Sequence, residues 1–320
     1  MGKVILFGEP MALLIADTVG ALEDVEHFTR SLSGAEVNVC IGLSRLGHQT
    51  TYIARLGDDP FGHFIEKDLR KENIEIKFIT YDDVYRTGIQ LKSKVLSGDP
   101  HAPYYRKGSA FSHITSKDID IIDFSDIDHV HVTGIPPALS KSCREATYRL
   151  MERAKENNVF ITFDPNLRPA LWESKEIMIE TINDLSCKAD MVLPGVEEAK
   201  ILLGIDNIDA IADKYKAMGI KQVVIKDGPR GAYVRDGKES YTVQGFKVDK
   251  VIDTVGAGDG FAVGIISARL EGLSLMEMVK RGNAIGAIQV TNIGDNKGLP
   301  TQKELEKFIK NNSCNNVRKI

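Results

Sequence analysis

The feature that most restricts the fold of this chain is the alternation that begins at Asp128. HVHVTG reads as a strand, residues 141–157 as a helix, VFITFDPN as a strand, the stretch from Glu173 as a helix, MVLPG as a strand and VEEAKILLG as a helix. A helix ending at Gly219, the strand KQVVIKDG and a hairpin through GAYVRDGKESYTV follow. Repeated βα units demand a mainly parallel sheet with helices on both faces. The N-terminal part fits the same scheme. KVILFGEP is a continuous apolar run, as expected of a strand covered on both sides, and TTYIARLG is a second strand. SGAEVNVCIGLSRLG gives an amphipathic helix that stops at Gly47, and PFGHFIEKDLRKENI gives another that opens on Pro60, where a missing N–H costs little.

Between about Ile74 and Gly108 the texture changes. GIQLKSKVLS alternates, SGDPHAP signals a turn, and YYRKGS follows. Strands with one wet face inside a βα chain point to a separate small sheet or lid, with strands expected roughly over 10–17 and 74–108. Tyr104 and Arg106, two apart, share one side of such a strand, where a phenol beside a guanidinium can hold a carboxylate or a polyol. The plainer alternative is an exposed strand pair with no ligand.

Ligands of open α/β sheets sit beyond the carboxyl ends of the strands, and the polar residues fall there: Gly134, Asp164 with Asn166 and Arg168, Gly195 with Glu198, Lys226 with Gly228, and Asp259. DTVGAGDGF at 253–261 is the most informative stretch. VDKVID before it reads as a short strand and FAVGIISARL after it as a helix, so Gly256, Ala257 and Gly258 lie where one becomes the other. Free N–H groups and the helix dipole make that turn a phosphate site. Asp259 would repel an anion, so it makes sense as a base that takes a proton from a hydroxyl, the alternative being a helix cap. Gly34 lets the backbone close on a ligand and Asn38 offers both a donor and an acceptor, unless it is merely a polar residue on the helix surface. Arg168 suits a substrate anion or a surface ion pair. Glu198 suits the helix dipole or, beside a nucleotide, a hydrated Mg²⁺. KDGPRGAY, with Lys226, Gly228 and Gly231, resembles a nucleotide wall, and Asn283 and Asp295 complete the set, Asp295 being equally readable as a turn residue.

Composition narrows the partners. In 320 residues, 42% apolar and 27% charged, a net charge of -4 gives no electrostatic reason to expect nucleic acid. No run approaches the 18 apolar residues of a membrane span, so no membrane partner is expected. Cys40, Cys143, Cys187 and Cys314 form no CxxC pair, which suggests reduced thiols in a cytoplasmic protein. No repeat or long linker divides the chain, so residues 1–320 are expected to form one domain.

Two stretches, SGAEVNVCIGLSRLGHQTTYIARLGDDPFG and DTVGAGDGFAVG, resemble the two signatures of the ribokinase-like (PfkB) sugar kinases, in the family's order and separation. The resemblance implies a Rossmann-like three-layer α/β core with a mainly parallel sheet and a small β lid. It also implies transfer of the γ-phosphoryl of ATP to a sugar hydroxyl, with Asp259 as base and an anion hole at Gly256, Ala257 and Gly258. ATP would lie along Lys226, Gly228 and Gly231, with Gly195 and Asn283 in the same set. Mg²⁺ would be reached through water by Glu198, and a monovalent cation such as K⁺ can bind near the 253–257 loop. GEP, YYRKGSA, FDPNLRPALW and the GD of NIGDNKGLP most resemble 2-keto-3-deoxygluconate kinases. That implies substrate contacts from Gly34, Asn38, Gln90, Tyr104, Arg106, Arg168 and Asp295. Ser33 stands where many members have a second glycine, Gln90 where some carry tyrosine, and Gly195 where the metal-linked motif has asparagine. Fructokinase, ribokinase and 5-keto-2-deoxygluconate kinase remain alternatives within the family. A sugar-binding regulator without turnover is the alternative of another class, and the intact Asp259 argues against it. An exposed lid edge suits a homodimer or higher homo-oligomer.

Overall fold

A computed structural model describes residues 2–96, 100–237, 239–292 and 294–312, and the backbone of 317–319. Cys314 lies outside the described residues. In chain order the strands are β1 (Lys3–Phe7), β2 (Met11–Val19), β3 (Phe28–Ser33), β4 (Gln49–Gly57), β5 (Glu75–Asp82), β6 (Ile89–Lys94), β7 (Tyr104–Tyr105), β8 (His129–Thr133), β9 (Phe160–Asp164), β10 (Met191–Val192), β11 (Gln222–Lys226), β12 (Ala232–Asp236), β13 (Glu239–Val243) and β14 (Val317–Lys319).

Ten of them form one sheet in the order β14-β13-β12-β11-β10-β9-β8-β1-β4-β5. It is parallel from β11 to β5 and antiparallel beyond β11. Helices cover the central strands, which is why β1, β8 and β9 are buried along almost their whole length. The two histidines of β8 survive there because the Thr162 hydroxyl lies 2.9 Å from His129 Nε2 and 2.8 Å from His131 Nδ1. Burial pushes both imidazoles below their usual pKa, His131 to about 3. β10 is short because Pro194 has no N–H to give, and the ladder resumes at the Gly195–Lys226 bridge. Most of the buried apolar side chains form one contiguous cluster running in sequence from Val4 to Leu305, with Met11, Ala12, Leu13 and Ala16 of β2 outside it.

The other four strands form a separate sheet in the order β3-β2-β6-β7. The expected lid is therefore corrected at both ends. β5 belongs to the edge of the large sheet, where Ile53–Gly57 pair with Phe78–Asp82, and β3 joins the small sheet opposite β2. The side chains of β5 alternate in exposure because it is an edge strand, a pattern shared with a half-wet lid strand. VDKVID is also corrected, since residues 244–254 contain no strand. Near the C-terminal end the backbone of Val317–Lys319 pairs with Tyr241–Val243.

The helix that carries the glycine turn, Ala257–Leu270, is almost wholly buried and crosses the helix Leu275–Gln289 through Gly264 and Gly282. A Cβ at Gly264 would overlap the Gly282 backbone. Helix propensity favours alanine at an interior position by about 1 kcal/mol, whereas overpacking against an immovable main chain costs about 3 kcal/mol. The clash wins, so Gly264→Ala should lower unfolding stability in a urea titration by about 2 kcal/mol. A more stable variant would show that the two helices are not in such close contact.

Candidate active site

The parallel strands deliver their carboxyl ends to one edge. Gly8 and Glu9 follow β1, Thr133 ends β8, Asp164 ends β9 and Lys226 ends β11. The first turn of Ala257–Leu270 faces the same place. Gly256, its N-cap, has φ of +80°, in the left-handed region, and a Cβ there would overlap the carbonyl oxygen of Asp295. No side chain among the described residues caps this helix; the Ala257 N–H reaches the Thr254 carbonyl at 3.4 Å, and Gly256 and Gly258 line a cavity. The capping alternative for Asp259 therefore does not hold. Its carboxylate accepts instead from Asn38 Nδ2 at 2.8 Å. Asn38 is buried, not a surface residue, and its Oδ1 accepts from Asn296 Nδ2 at 3.2 Å.

Two cavities meet at this helix start. One, of about 380 Å³, is polar, and Glu9, Ser33, Gly34, Glu36, Asn38, Gln90, Lys92, Tyr104, Arg106, Asn166, Arg168, Glu198, Asp259 and Asp295 are among its lining residues. The other, of about 470 Å³, is mainly apolar, with Gly228, Pro229, Gly231, Phe246, Val248, Val251, Phe261, Asn283, Ala287 and Val290 in its wall. Lys226, Thr254 and Gly258 line both. Val248 and Val251 explain the VDKVID correction, because their apolar periodicity is that of a cavity wall.

Burial pushes the Asp259 carboxyl up to about 7, against the pull of the Asn38 hydrogen bond, and Asp164 and Glu36 add to the rise. A carboxylate of that pKa can accept a proton at neutral pH and hold it. Burial also raises Glu36, although the Thr133 hydroxyl donates to it. Burial opposes the charge on Lys226, but Asp164, at 2.5 Å, and Glu198 more than offset it, so the ammonium stays charged at the junction of the cavities.

Most of the residues singled out from sequence converge here, with qualifications. Arg106 lines the polar cavity with Tyr104, yet its Nε and Nη2 donate to Glu9 Oε2 at 2.7 and 2.6 Å, so its charge is matched internally. Arg168 is exposed and donates to the carbonyl of Leu167 at 2.9 Å, with no carboxylate partner among the described residues. Asp295 is not an idle turn residue. Its Oδ2 lies 2.7 Å from Ser33 Oγ, which is also 2.7 Å from Gln90 Oε1, and its Oδ1 lies 3.3 Å from Lys92 Nζ. Glu198 accepts from the N–H groups of Gly195 and Leu167 at 2.8 and 2.7 Å, the helix-start role, while still lining the polar cavity. Gly195 is not among the residues lining either cavity; it is bridged to Lys226, and its N–H donates to Glu198 Oε2. Asn283 is in the apolar wall, but its amide N–H groups are spent on the carbonyls of Val243 and Gln244 at 3.0 and 3.1 Å.

The pfkB family carbohydrate kinase profile matches residues 1–302. The chain belongs to this family. This kinase is 45% identical over 306 residues to a 2-dehydro-3-deoxygluconokinase of Bacillus subtilis (strain 168), covering 95% of this chain and 94% of that one. It is 34% identical to a 2-dehydro-3-deoxygluconokinase of Thermoproteus tenax, over 97% and 95% of the two chains, and 32% identical to fructokinase-1 of Zea mays, over 96% and 97%. Among solved structures, a PfkB protein from Polaromonas sp. JS666 superposes with a TM-score of 0.88 at 43% identity, over 96% of this chain and 99% of that one. A ribokinase II from E. coli in complex with ATP and Mg²⁺ gives 0.86 at 25% identity, over 97% and 100%. A fructokinase double mutant from Vibrio cholerae O395 with fructose, ADP and a potassium ion gives 0.85 at 29%, over 96% and 98%. The kinase is thus a phosphotransferase acting on a carbohydrate, with a ribokinase-like fold.

Three charged residues of the polar cavity, Glu9, Glu36 and Lys92, escaped the sequence reading. Each had a signal: Glu9 is a lone acid closing an apolar strand, Glu36 lies two before Asn38, and Lys92 shares a strand face with Gln90.

The raised pKa of Asp259 carries a stability consequence. Between its ordinary value and about 7 the folded state binds the proton that the unfolded state has released, so this group lowers stability as pH rises through that window. Asp259→Asn should melt a few degrees above the unsubstituted protein at pH 8, with the gap closing as the pH is lowered to 5. An Asn variant that melts lower at pH 8 would contradict the assigned environment.

Proposed function

We propose that this kinase transfers the γ-phosphoryl group of ATP to the terminal hydroxyl of 2-keto-3-deoxygluconate. The observation that carries the reading is the meeting of a polar cavity and an apolar cavity at one uncapped helix N-terminus beside Asp259. The sugar acid occupies the polar cavity and the nucleotide the apolar one, which puts the acceptor hydroxyl and the γ-phosphate on either side of Gly256–Gly258. Asp259 takes the hydroxyl proton as the oxygen–phosphorus bond forms, and ADP leaves with the electrons of the broken bond. The N–H groups of Gly256, Ala257 and Gly258 and the Lys226 ammonium stabilise the charge on the transferring group.

Arg168, without a carboxylate of its own, pairs the substrate carboxylate. Gly34, Asn38, Gln90, Tyr104, Arg106 and Asp295 hold the polyol, and the buried Glu9 Oε1, which has no hydrogen-bond partner among the described residues, accepts from a sugar hydroxyl. Gly228, Gly231 and Asn283 form the nucleotide wall. The small sheet closes over the acceptor and excludes water.

Mg²⁺ belongs to the same proposal, as in the E. coli relative. Glu198, which lines the polar cavity, would reach such an ion through water. When bound, it neutralises phosphate charge. A monovalent cation such as K⁺ is proposed on the ground of the Vibrio fructokinase. No helix among the described residues is long and apolar enough to cross a membrane, and a cytoplasmic homodimer is the proposed state.

Steady-state rates on a panel of sugars test the substrate, with 2-keto-3-deoxygluconate expected to surpass fructose and ribose in kcat/KM. A neutral hexose used best would overturn the role of Arg168. The logarithm of kcat/KM should rise with unit slope to a bend near 7, the value set for Asp259, because only the ionised form accepts the proton. Asp259→Asn should lose at least ~100-fold in kcat with little change in KM. Normal turnover by that variant would remove the base.

A further inference from the structure

Lys92 lies on β6, in the small sheet, yet its ammonium reaches into the large domain. Nζ is 2.7 Å from Asp253 Oδ2 and 3.3 Å from Asp295 Oδ1, and all three side chains are nearly inaccessible to solvent. These two aspartates belong to the two loops that shape the anion turn. Asp253 leads into it, and its Oδ1 accepts from the Val255 N–H at 3.0 Å. Asp295 carries the carbonyl oxygen that sits where a Cβ of Gly256 would be.

We propose that Lys92 is a positioning residue for phosphoryl transfer: a built-in cation by which the small sheet clamps the 253–256 and 294–296 loops together and fixes the turn at Gly256. The charge count makes the clamp necessary. Two buried carboxylates held by one ammonium attract it and tolerate each other, whereas without it they repel and have no water to screen them. The loops then part, and the N–H groups of the turn leave the position that a transferring phosphoryl group needs, where a displacement of about 1 Å costs on the order of 100-fold in rate. Because Lys92 rides on the small sheet, the clamp also forms only when that sheet sits over the polar cavity, so the phosphate turn is completed together with water exclusion. The inference rests on the kinase reading of the site but not on which sugar is used.

The test is steady-state kinetics of Lys92→Ala at fixed KCl, with saturating ATP and the best sugar of the unsubstituted enzyme. We expect kcat to fall about 100-fold while KM for ATP moves less than about threefold, because the turn acts on the transition state. Ethylammonium at about 50 mM should restore at least about tenfold of the lost rate by filling the vacated site between the carboxylates, and should leave the unsubstituted enzyme unchanged. The double variant Lys92→Met/Asp253→Asn keeps the net charge of the cluster and guards against a folding defect. With the repulsion gone it should melt near the unsubstituted protein, turn over faster than Lys92→Ala, and fail to respond to ethylammonium. Lys92→Ala with an unchanged kcat, a folded Lys92→Ala that ethylammonium cannot revive, or a double variant no faster than Lys92→Ala would each overturn the proposal. An unsubstituted protein that phosphorylates no sugar would sink the kinase reading and this inference with it, whereas a fast Lys92→Ala sinks this one alone.

Discussion

The hydrogen bond from Asn38 to Asp259, made beside a helix start that no side chain caps, is the contact on which the site depends. A carboxylate next to free N–H groups would ordinarily be drawn to them as a cap and be spent there. Asn38 holds it aside, and burial keeps its proton affinity high enough to matter at neutral pH. The helix start is thereby left without a side-chain cap, the arrangement on which the proposed phosphoryl transfer rests. Asn38 can do this because Asn296 fixes its other end and because it stands one turn into a buried helix.

Around that contact the fold separates two solvents. The polar cavity is lined by charges that already answer one another, Arg106 with Glu9 and Lys92 with Asp253 and Asp295, so a polar ligand there would meet oriented hydrogen-bonding groups at little reorganisation cost. The apolar cavity is lined by Val248, Val251, Phe261 and Val290, which suit a flat aromatic base. Lys226 stands at the boundary and keeps its charge because Asp164 lies against it.

Much of this was legible in the chain. Continuous apolar strands alternating with helices gave the parallel sheet, and glycines ahead of an apolar helical run marked the start of the helix at Ala257, because both follow from local geometry that sequence records directly. The parts that were not legible depend on what lies across the fold. An edge strand and a lid strand alternate alike, so β5 was assigned to the wrong sheet. A cavity wall and a strand share apolar spacing, so VDKVID read as a strand. Gly195 sits at a strand end, but its bridge to Lys226 is visible only in the folded chain. Lys92 meets partners more than 160 residues distant, and nothing near it in the chain announces them.

The most direct measurement of the whole account is a crystal structure of the complex with 2-keto-3-deoxygluconate and a non-hydrolysable ATP analogue. The account predicts the terminal hydroxyl within about 3 Å of the Asp259 carboxylate, the γ-phosphate on the N–H groups of Gly256–Gly258 and the sugar carboxylate against Arg168. A γ-phosphate bound away from that helix start, or a hydroxyl lying beyond about 5 Å from Asp259 with no bridging water, would contradict it.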